Sequence, residues 1–379
     1  MRVCLAYDCL FPWTVGGHER YMRDLAEAVA AAGHEVTFVT RNQWSGDDAP
    51  DIPGVRVVAV SPGGALYGED GNRLIGPPLR FGRGFLGHLL RHRGGYDIVH
   101  VCSFPYFSLL AAGAVGTRPL FVDWPEVWSA GYWREYLGGT KGAVGWLVQR
   151  LCAMVPQHAF VFSDLHGDRL RAEGLRGRTI RLEGLYAGPT TPHEASLERA
   201  PLVVFAGRHI PEKRVTAIPE AIAIAARSIP GLEALILGDG PLRGEVLAAI
   251  DAAGVSDRVS APGFVDADGL RAAIGSAAAL LLPSQREGYG MIVIEAAASG
   301  TPSVVARGPD NAAVERITPG VNGVLAASDD PADLAAAIVE AVEGGEELRG
   351  RTVAWFEANA ERLSVAESAR RVLAAYAAV

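Results

Sequence analysis

Apolar residues in this chain fall into short runs, separated by longer stretches in which they return every three or four positions. Residues 3–7, 36–40, 55–60, 98–102 and 120–122 form such runs, rich in β-branched side chains, and each reads as a buried strand. Between the first two, residues 11–17 form a loop holding Pro12 and the pair Gly16-Gly17. Residues 19–32 then place Tyr21, Leu25, Ala28 and Val29 on one helical face, and Gly33 stops the helix. Residues 183–201 carry Gly184, Gly188, Pro189, Pro192 and Pro201 with no periodicity, as a linker does. The pattern then restarts, with strands predicted at 202–206, 233–237, 259–261, 279–282, 303–306 and 323–325. Helices such as 215–228 and 242–253 lie between them. Strand–helix alternation of this kind predicts an α/β fold with parallel sheets covered on both faces. The simplest arrangement is two doubly wound, Rossmann-like domains facing across a cleft. The expected division is residues 1–188, residues 189–355 and a closing segment 356–379, whose helix spans 357–378.

Composition narrows the function. The 379 residues are 49% hydrophobic, enough for two cores, and the net charge is -8. Residues 1–188 carry 19 basic and 18 acidic side chains, so the surplus of acid lies in the second half. Neither half has the basic surface of a nucleic-acid binder. Cys4, Cys9, Cys102 and Cys152 show neither a disulfide framework nor metal-ligand spacing, which fits a reducing cytoplasm. The first residues do not read as a signal peptide, and no apolar run reaches the length of a membrane span.

Two constellations carry chemistry. Only two of the 35 basic residues are lysines, Lys141 and Lys213. Lys213 lies just past the strand 202–206, in Gly207-Arg208-His209-Ile210-Pro211-Glu212-Lys213-Arg214. A strand ending in arginine, lysine and arginine aims three cations at one point, and that mixture suits a phosphorylated ligand. Glu287 and Glu295 bracket seven residues, the first in a turn after strand 279–282, the second inside an apolar helix that begins near Met291. A carboxylate in such a helix needs donors, which a ribose diol supplies as well as a protein partner does. Asp266-Ala267-Asp268 resembles a divalent-ion triplet, but it precedes the helical stretch 269–276, so helix capping is the better reading.

With these residues in hand, the chain resembles a family-4 glycosyltransferase of the GT-B fold over nearly its whole length. The motifs are Gly16-Gly17, Gly33-His34-Glu35-Val36, Asp97-Ile98-Val99-His100, Gly207-Arg208 with Lys213, and Leu237-Gly238-Asp239-Gly240-Pro241-Leu242. Pro262-Gly263-Phe264-Val265, the Glu287/Glu295 pair and Gly320-Val321-Asn322-Gly323 complete them. The resemblance implies sugar transfer from a nucleotide donor with retained anomeric configuration. It implies that Arg208 and Lys213 hold the donor diphosphate, that Glu295 accepts from the ribose hydroxyls and that Glu287 contacts the donor sugar. Gly290 and Met291 belong to the same donor site. Gly16 and Gly17 let the first loop approach donor or acceptor, and backbone near Phe264 and Val265 reads the base. The final helix is expected to pack back on the first domain, as in relatives. Where many relatives carry a histidine after strand 120–122, this chain has Asp123, which is expected to take over that contact or to leave the role unfilled. No metal or other cofactor is expected.

The acceptor is less legible. His18 follows the glycine pair, and Trp13, Trp124 and Trp128 belong to an aromatic-rich part of the first half. They suit either a stacking surface for a small molecule, glycan or lipid-linked sugar, or ordinary core packing. Arg80, Arg83, Arg91 and Arg93 flank Phe85, Leu86, Leu89 and Leu90, which allows at most peripheral membrane contact. Three other functions compete. A dinucleotide oxidoreductase is disfavoured because the third fingerprint glycine would fall on Arg243. A nucleotide-sugar epimerase or hydrolase, and a non-catalytic nucleotide-sugar-binding protein, both share the scaffold.

Overall fold

The computed structural model describes residues 1–46, 49–66, 68, 74–189 and 201–379. It divides into two units, Met1–Ala187 with Val365–Val379, and Gly188–Ser364. Residues 190–200 of the expected linker lie outside the described residues.

In the first unit, seven parallel strands are described: β1 (Arg2–Ala6), β2 (Glu35–Arg41), β3 (Val55–Ser61), β4 (Ile98–Cys102), β5 (Leu120–Trp124), β6 (Gln157–Val161) and β7 (Gly177–Arg181). They lie in the order β3-β2-β1-β4-β5-β6-β7. β4 and β5 are buried at every position, as strands covered by helices on both faces must be. Two strands escape the sequence pattern for a physical reason. β6 opens with Gln157-His158, and β7 is an edge strand, Gly-Arg-Thr-Ile-Arg, with no buried residue. Gly177 makes their pairing possible, since a Cβ there would sit 1.8 Å from the Gln157 carbonyl oxygen.

The helix Gly17–Ala31 buries Tyr21, Met22, Leu25, Ala26 and Val29, and ends before Gly33 in the left-handed region (φ 85°). The C-terminal segment corrects the sequence reading. Residues 357–378 are not one helix: Gly345–Leu363 and Val365–Ala377 are separated by Ser364 in extended conformation. The first of these packs in the second unit, with Leu348, Thr352, Phe356, Ala360 and Leu363 on its buried face, so the division falls at residue 364 rather than 355. The second belongs to the first unit. There the Val365 amide donates to the Tyr186 carbonyl (2.9 Å), and the Gly184 amide donates to Ser368 Oγ (3.1 Å).

The second unit has β8 (Leu202–Ala206), β9 (Glu233–Leu237), β10 (Val259–Gly263), β11 (Ala279–Leu282), β12 (Arg286–Glu287), β13 (Ser303–Ala306), β14 (Asp310–Asn311) and β15 (Gly323–Ala326). Six of these form a parallel sheet in the order β10-β9-β8-β11-β13-β15, while β12 pairs with β14. The helix expected over 215–228 shortens to Ile218–Ala225, preceded by two 3-10 turns, Pro211–Lys213 and Val215–Ala217. Arg214 stands between those turns at φ 52°, a left-handed backbone that an α-helix cannot carry.

Candidate functional site

In a doubly wound sheet, ligands sit beyond the carboxyl ends of the strands, where the strand order reverses. The orders above place that switch point between β8 and β11 in the second unit, and between β1 and β4 in the first.

In the second unit the loop leaving β8 is pressed against the loop leaving β9. A Cβ on Gly238 (φ 115°) would lie 2.0 Å from the Gly207 carbonyl oxygen, and one on Gly240 would lie 2.5 Å from that of His209. Only glycine permits this approach. The His209 amide donates to the Asp239 carbonyl (2.9 Å), so the loop carrying Arg208 is fixed by backbone. Arg208 itself is exposed. His209 turns inward against Phe205, and both ring nitrogens lack a hydrogen-bond partner. Burial, with Arg243 adding to it, holds the His209 imidazole below the usual histidine range, against the opposing pull of Asp239.

Lys213 ends a 3-10 turn on this loop and forms an ion pair with Glu287. Ser284 Oγ donates to the same Glu287 oxygen at 2.9 Å. The two loops are tied together where the Gln285 amide donates to the Glu212 carbonyl (2.9 Å) and Arg286 reaches Glu212 (3.3 Å). Arg214 does not join Lys213 as a third cation, because it pairs with Asp329, which also accepts from Gln285 Nε2 (2.9 Å). The left-handed backbone at Arg214 accompanies that departure.

Gly290 caps the helix Met291–Ala298 in the left-handed region (φ 84°), with no side chain capping the first amides. A Cβ on Gly290 would approach that of Ala313 to 2.5 Å. A helix start without a side-chain cap, reached through glycine, presents backbone N–H groups to an anion. Glu295 lies one turn into this helix and is half-buried. Phe264, just past β10, is 81% exposed, with Val265 half-buried beside it. Asp266 caps Ala267–Ser276 by accepting from the Gly269 amide (2.7 Å), and Asp268 pairs with Arg271 at 2.9 Å.

The first unit holds a polar chain that the sequence did not reveal. Asp123, on β5, has no exposed side-chain surface. Its Oδ1 lies 3.0 Å from His100 Nε2, on β4, and its Oδ2 lies 3.8 Å from His18 Nε2, in the first turn of Gly17–Ala31. His100 Nδ1 meets the Tyr376 hydroxyl, from the C-terminal helix, at 2.6 Å. Burial, then the Asp123 charge, pushes the Tyr376 hydroxyl well up, so it keeps its proton as a hydrogen-bonding partner of Nδ1. His18 is the only one of the three Asp123-cluster side chains with exposed surface, 12%. It packs among the rings of Tyr7, Tyr21 and Phe162. Burial pulls its pKa down, and His100 adds to this, while Asp123 and Glu19 oppose. Asp123 is therefore a buried partner of two histidines, not a side chain presented to a sugar, which corrects the expectation of direct contact.

The aromatic candidates separate in the same way. Trp124 is fully buried, its Nε1 donating to Gln157 Oε1 (2.8 Å), so it is core and not an acceptor surface. Trp128 is half-buried among Phe104, Tyr132, Trp133 and Tyr136. Trp13 is 40% exposed, edge-on to Trp44. At Gly16 a Cβ would lie 2.1 Å from a Glu19 carboxylate oxygen, and the other oxygen accepts from the Tyr7 hydroxyl (3.0 Å). The glycine here lets Glu19 fold back over the helix start.

Comparison with known proteins places this geometry. The family model for group 1 glycosyl transferases matches residues 200–343, and that for a glycosyl transferase 4-like domain matches residues 16–182. The chain is 29% identical over 356 residues to the glycogen synthase of Mycobacterium tuberculosis, covering 86% of this chain and 82% of that protein. It is 27% identical over 401 residues to the D-inositol 3-phosphate glycosyltransferase of Xylanimonas cellulosilytica, covering 96% and 91%. Among solved structures, Anabaena HepE in complex with UDP-glucose matches with a TM-score of 0.74 and 16% identity over 100% of both chains, a likeness of fold.

Proposed function

The chain belongs to the family-4 glycosyltransferases of the GT-B fold, and we propose that it moves a sugar, with retained configuration and without a metal, from a nucleotide-diphosphate donor to a hydroxyl acceptor. The observation that carries this reading is the pairing of Lys213 with Glu287 at the β8/β11 switch point, beside a helix start without a side-chain cap.

Glycosyl transfer breaks the bond from the sugar's C1 to the diphosphate as the acceptor oxygen binds C1. Positive charge develops on the sugar and negative charge on the leaving diphosphate. Fixed donors beside the diphosphate stabilise its departure, and such preorganised charge is usually the largest catalytic contribution. Arg208 supplies a guanidinium, Lys213 a compact charge, and Gly290, Met291 and the amides that follow supply the helix start. Glu287 holds the Lys213 ammonium in place before the donor arrives and then accepts from the donor sugar. Glu295 takes the ribose hydroxyls, and exposed Phe264 with Val265 receives the base. With Asp266 and Asp268 engaged as cap and ion pair, the diphosphate is neutralised by protein cations.

The acceptor, a small molecule, glycan or lipid-linked sugar, is assigned to the first unit. There His18 and the loop with Gly16 and Gly17 stand at the β1/β4 switch point, and Trp13 and Trp128 offer exposed or half-buried rings. Asp123 acts by orienting His18. The relatives' names, glycogen synthase and D-inositol 3-phosphate glycosyltransferase, and the UDP-glucose in HepE support a nucleotide-sugar donor. All four cysteines are buried thiols, which supports a reducing, cytoplasmic setting. Among the described residues, no helix is long and apolar enough to cross a membrane.

The test is incubation with UDP-, GDP- and ADP-sugars without acceptor, followed by NMR. Slow release of free sugar, first seen as the donor's own anomer and undiminished in EDTA, is expected. An epimerised donor, the opposite anomer, or an absolute Mn²⁺ or Mg²⁺ requirement would contradict the proposal.

A further inference from the structure

The edge strand β3 and the last turn of the helix Gly76–Arg91 line a half-open cavity of about 240 Å³. It lies in the first unit, with β2 between β3 and β1, so it is separate from the β1/β4 switch point. Its polar lining is Arg56 from β3, His88, Arg91 and His92 from the helix end, and Tyr96 from the turn before β4. The three rings form one wall. His88 stacks on His92 at 4.3 Å and on Tyr96 at 5.8 Å, and His88 Nε2 meets the Tyr96 hydroxyl at 2.7 Å. No carboxylate lines the cavity among the described residues.

Two guanidiniums lining one small space, with no acid between them among the described residues, form a cationic surface that an anion would neutralise. Both arginines are exposed, and among the described residues Arg91 donates through Nε alone, to the Gly87 carbonyl at 3.0 Å. Its remaining N–H groups and those of Arg56 are planar donors suited to phosphate oxygens. His92 donates through Nδ1 to the His88 carbonyl (2.9 Å), which fixes its ring at the helix end. The backing is rigid: His88 is 4% exposed, and a Cβ on Gly84 would lie 2.1 Å from the Val60 carbonyl oxygen, so helix and strand are in close contact. At about 30 Å³ per water the volume holds roughly eight waters, room for a phosphate and part of the group that bears it.

We propose that this cavity binds a small phosphate dianion, inorganic or as the monoester of a small metabolite, held by Arg56 and Arg91. The surrounding titratable groups agree with this. Burial chiefly, with His92, Arg91 and Arg56 adding to it, brings His88 down to about 4, so its ring stays neutral behind the arginines. Burial pushes Tyr96 up to about 12, so its hydroxyl remains a hydrogen-bonding group. Glu35 on the neighbouring strand is the acid whose charge reaches Tyr96. The proposal is independent of the donor site and survives if the transferase reading fails.

The experiment is calorimetric titration of inorganic phosphate and of a hexose monophosphate into the full chain at constant ionic strength. It is paired with the same titrations of the Arg56→Ala/Arg91→Ala double variant and with NMR of the His88 and His92 rings. Millimolar or tighter binding is expected, weakened at least tenfold in the variant, with both ring signals moving on addition to wild type. Tighter binding of the ester than of phosphate identifies an organic ligand; equal binding identifies phosphate itself. Because the donor site is intact in both proteins, only the difference between them reports on this cavity. Equal binding by variant and wild type, unmoved histidine signals, or the same response to chloride would overturn the proposal and leave the arginines as charges that keep an edge strand in water.

Discussion

At the residue scale, the meeting of Lys213 with Glu287 was legible in the sequence and the cluster around Asp123 was not. Lys213 and Glu287 stand 74 residues apart, yet each follows a strand, and adjacent strands bring their ends together. Ser284 carried no signal beyond its place in the same turn. Arg214 shows where local reading failed: adjacency suggested a third cation, while the backbone sent it to Asp329. Asp123 stood out as a departure from a family pattern, but the groups around it come from three other parts of the fold. Tyr376 is 276 residues from His100, in an alanine-rich tail without any motif. Such a buried chain has a consequence for pH. His18 is held below its ordinary value of 6.5 chiefly by burial, so the unfolded chain binds a proton that the folded one refuses. The stability this contributes is complete above about pH 6.5 and is lost as pH falls through that value. Urea unfolding at pH 7.5 and pH 5 should show His18→Gln losing less stability than wild type between the two. An identical loss would mean that His18 is not held neutral.

At the element scale, the pattern of apolar runs located the six strands of the second unit's main sheet to within two residues, because most of them are continuous buried runs, and left out β12 and β14, which are two polar residues each. It missed β6 and β7, which are polar at their start or exposed at the edge. It also merged the last two helices, since Ser364 is a weak breaker by sequence alone. The Gly-Asp-Gly run after β9 was read as a family motif, and the structure supplies its reason: the loops leaving β8 and β9 meet backbone to backbone. Gly238→Ala combines a left-handed φ with a Cβ 2.0 Å from a backbone oxygen. The expected cost is about 3 kcal/mol or more, with a matching fall in melting point and weaker nucleotide binding. A change within about 0.5 kcal/mol, the size of an ordinary surface substitution, would show that these loops are not locked together.

At the scale of the whole molecule, two parallel sheets each place their candidate chemistry at a switch point, which is why a fold read from periodicity also pointed to the functional strand ends. The division of the chain was harder to read, because the last helix belongs with the first unit and its neighbour with the second. The account's central claim is that the switch point of the second unit is a nucleotide-diphosphate site neutralised by protein cations. The most direct measurement is thermal unfolding with UDP, GDP, ADP and their sugar conjugates, on wild type and Lys213→Ala. A ligand that binds the folded state must raise its melting point by mass action. The account predicts a rise with one nucleotide class, kept in EDTA and abolished or reduced at least tenfold in apparent affinity by Lys213→Ala. No rise with any nucleotide, or a rise that Lys213→Ala leaves unchanged, would contradict it.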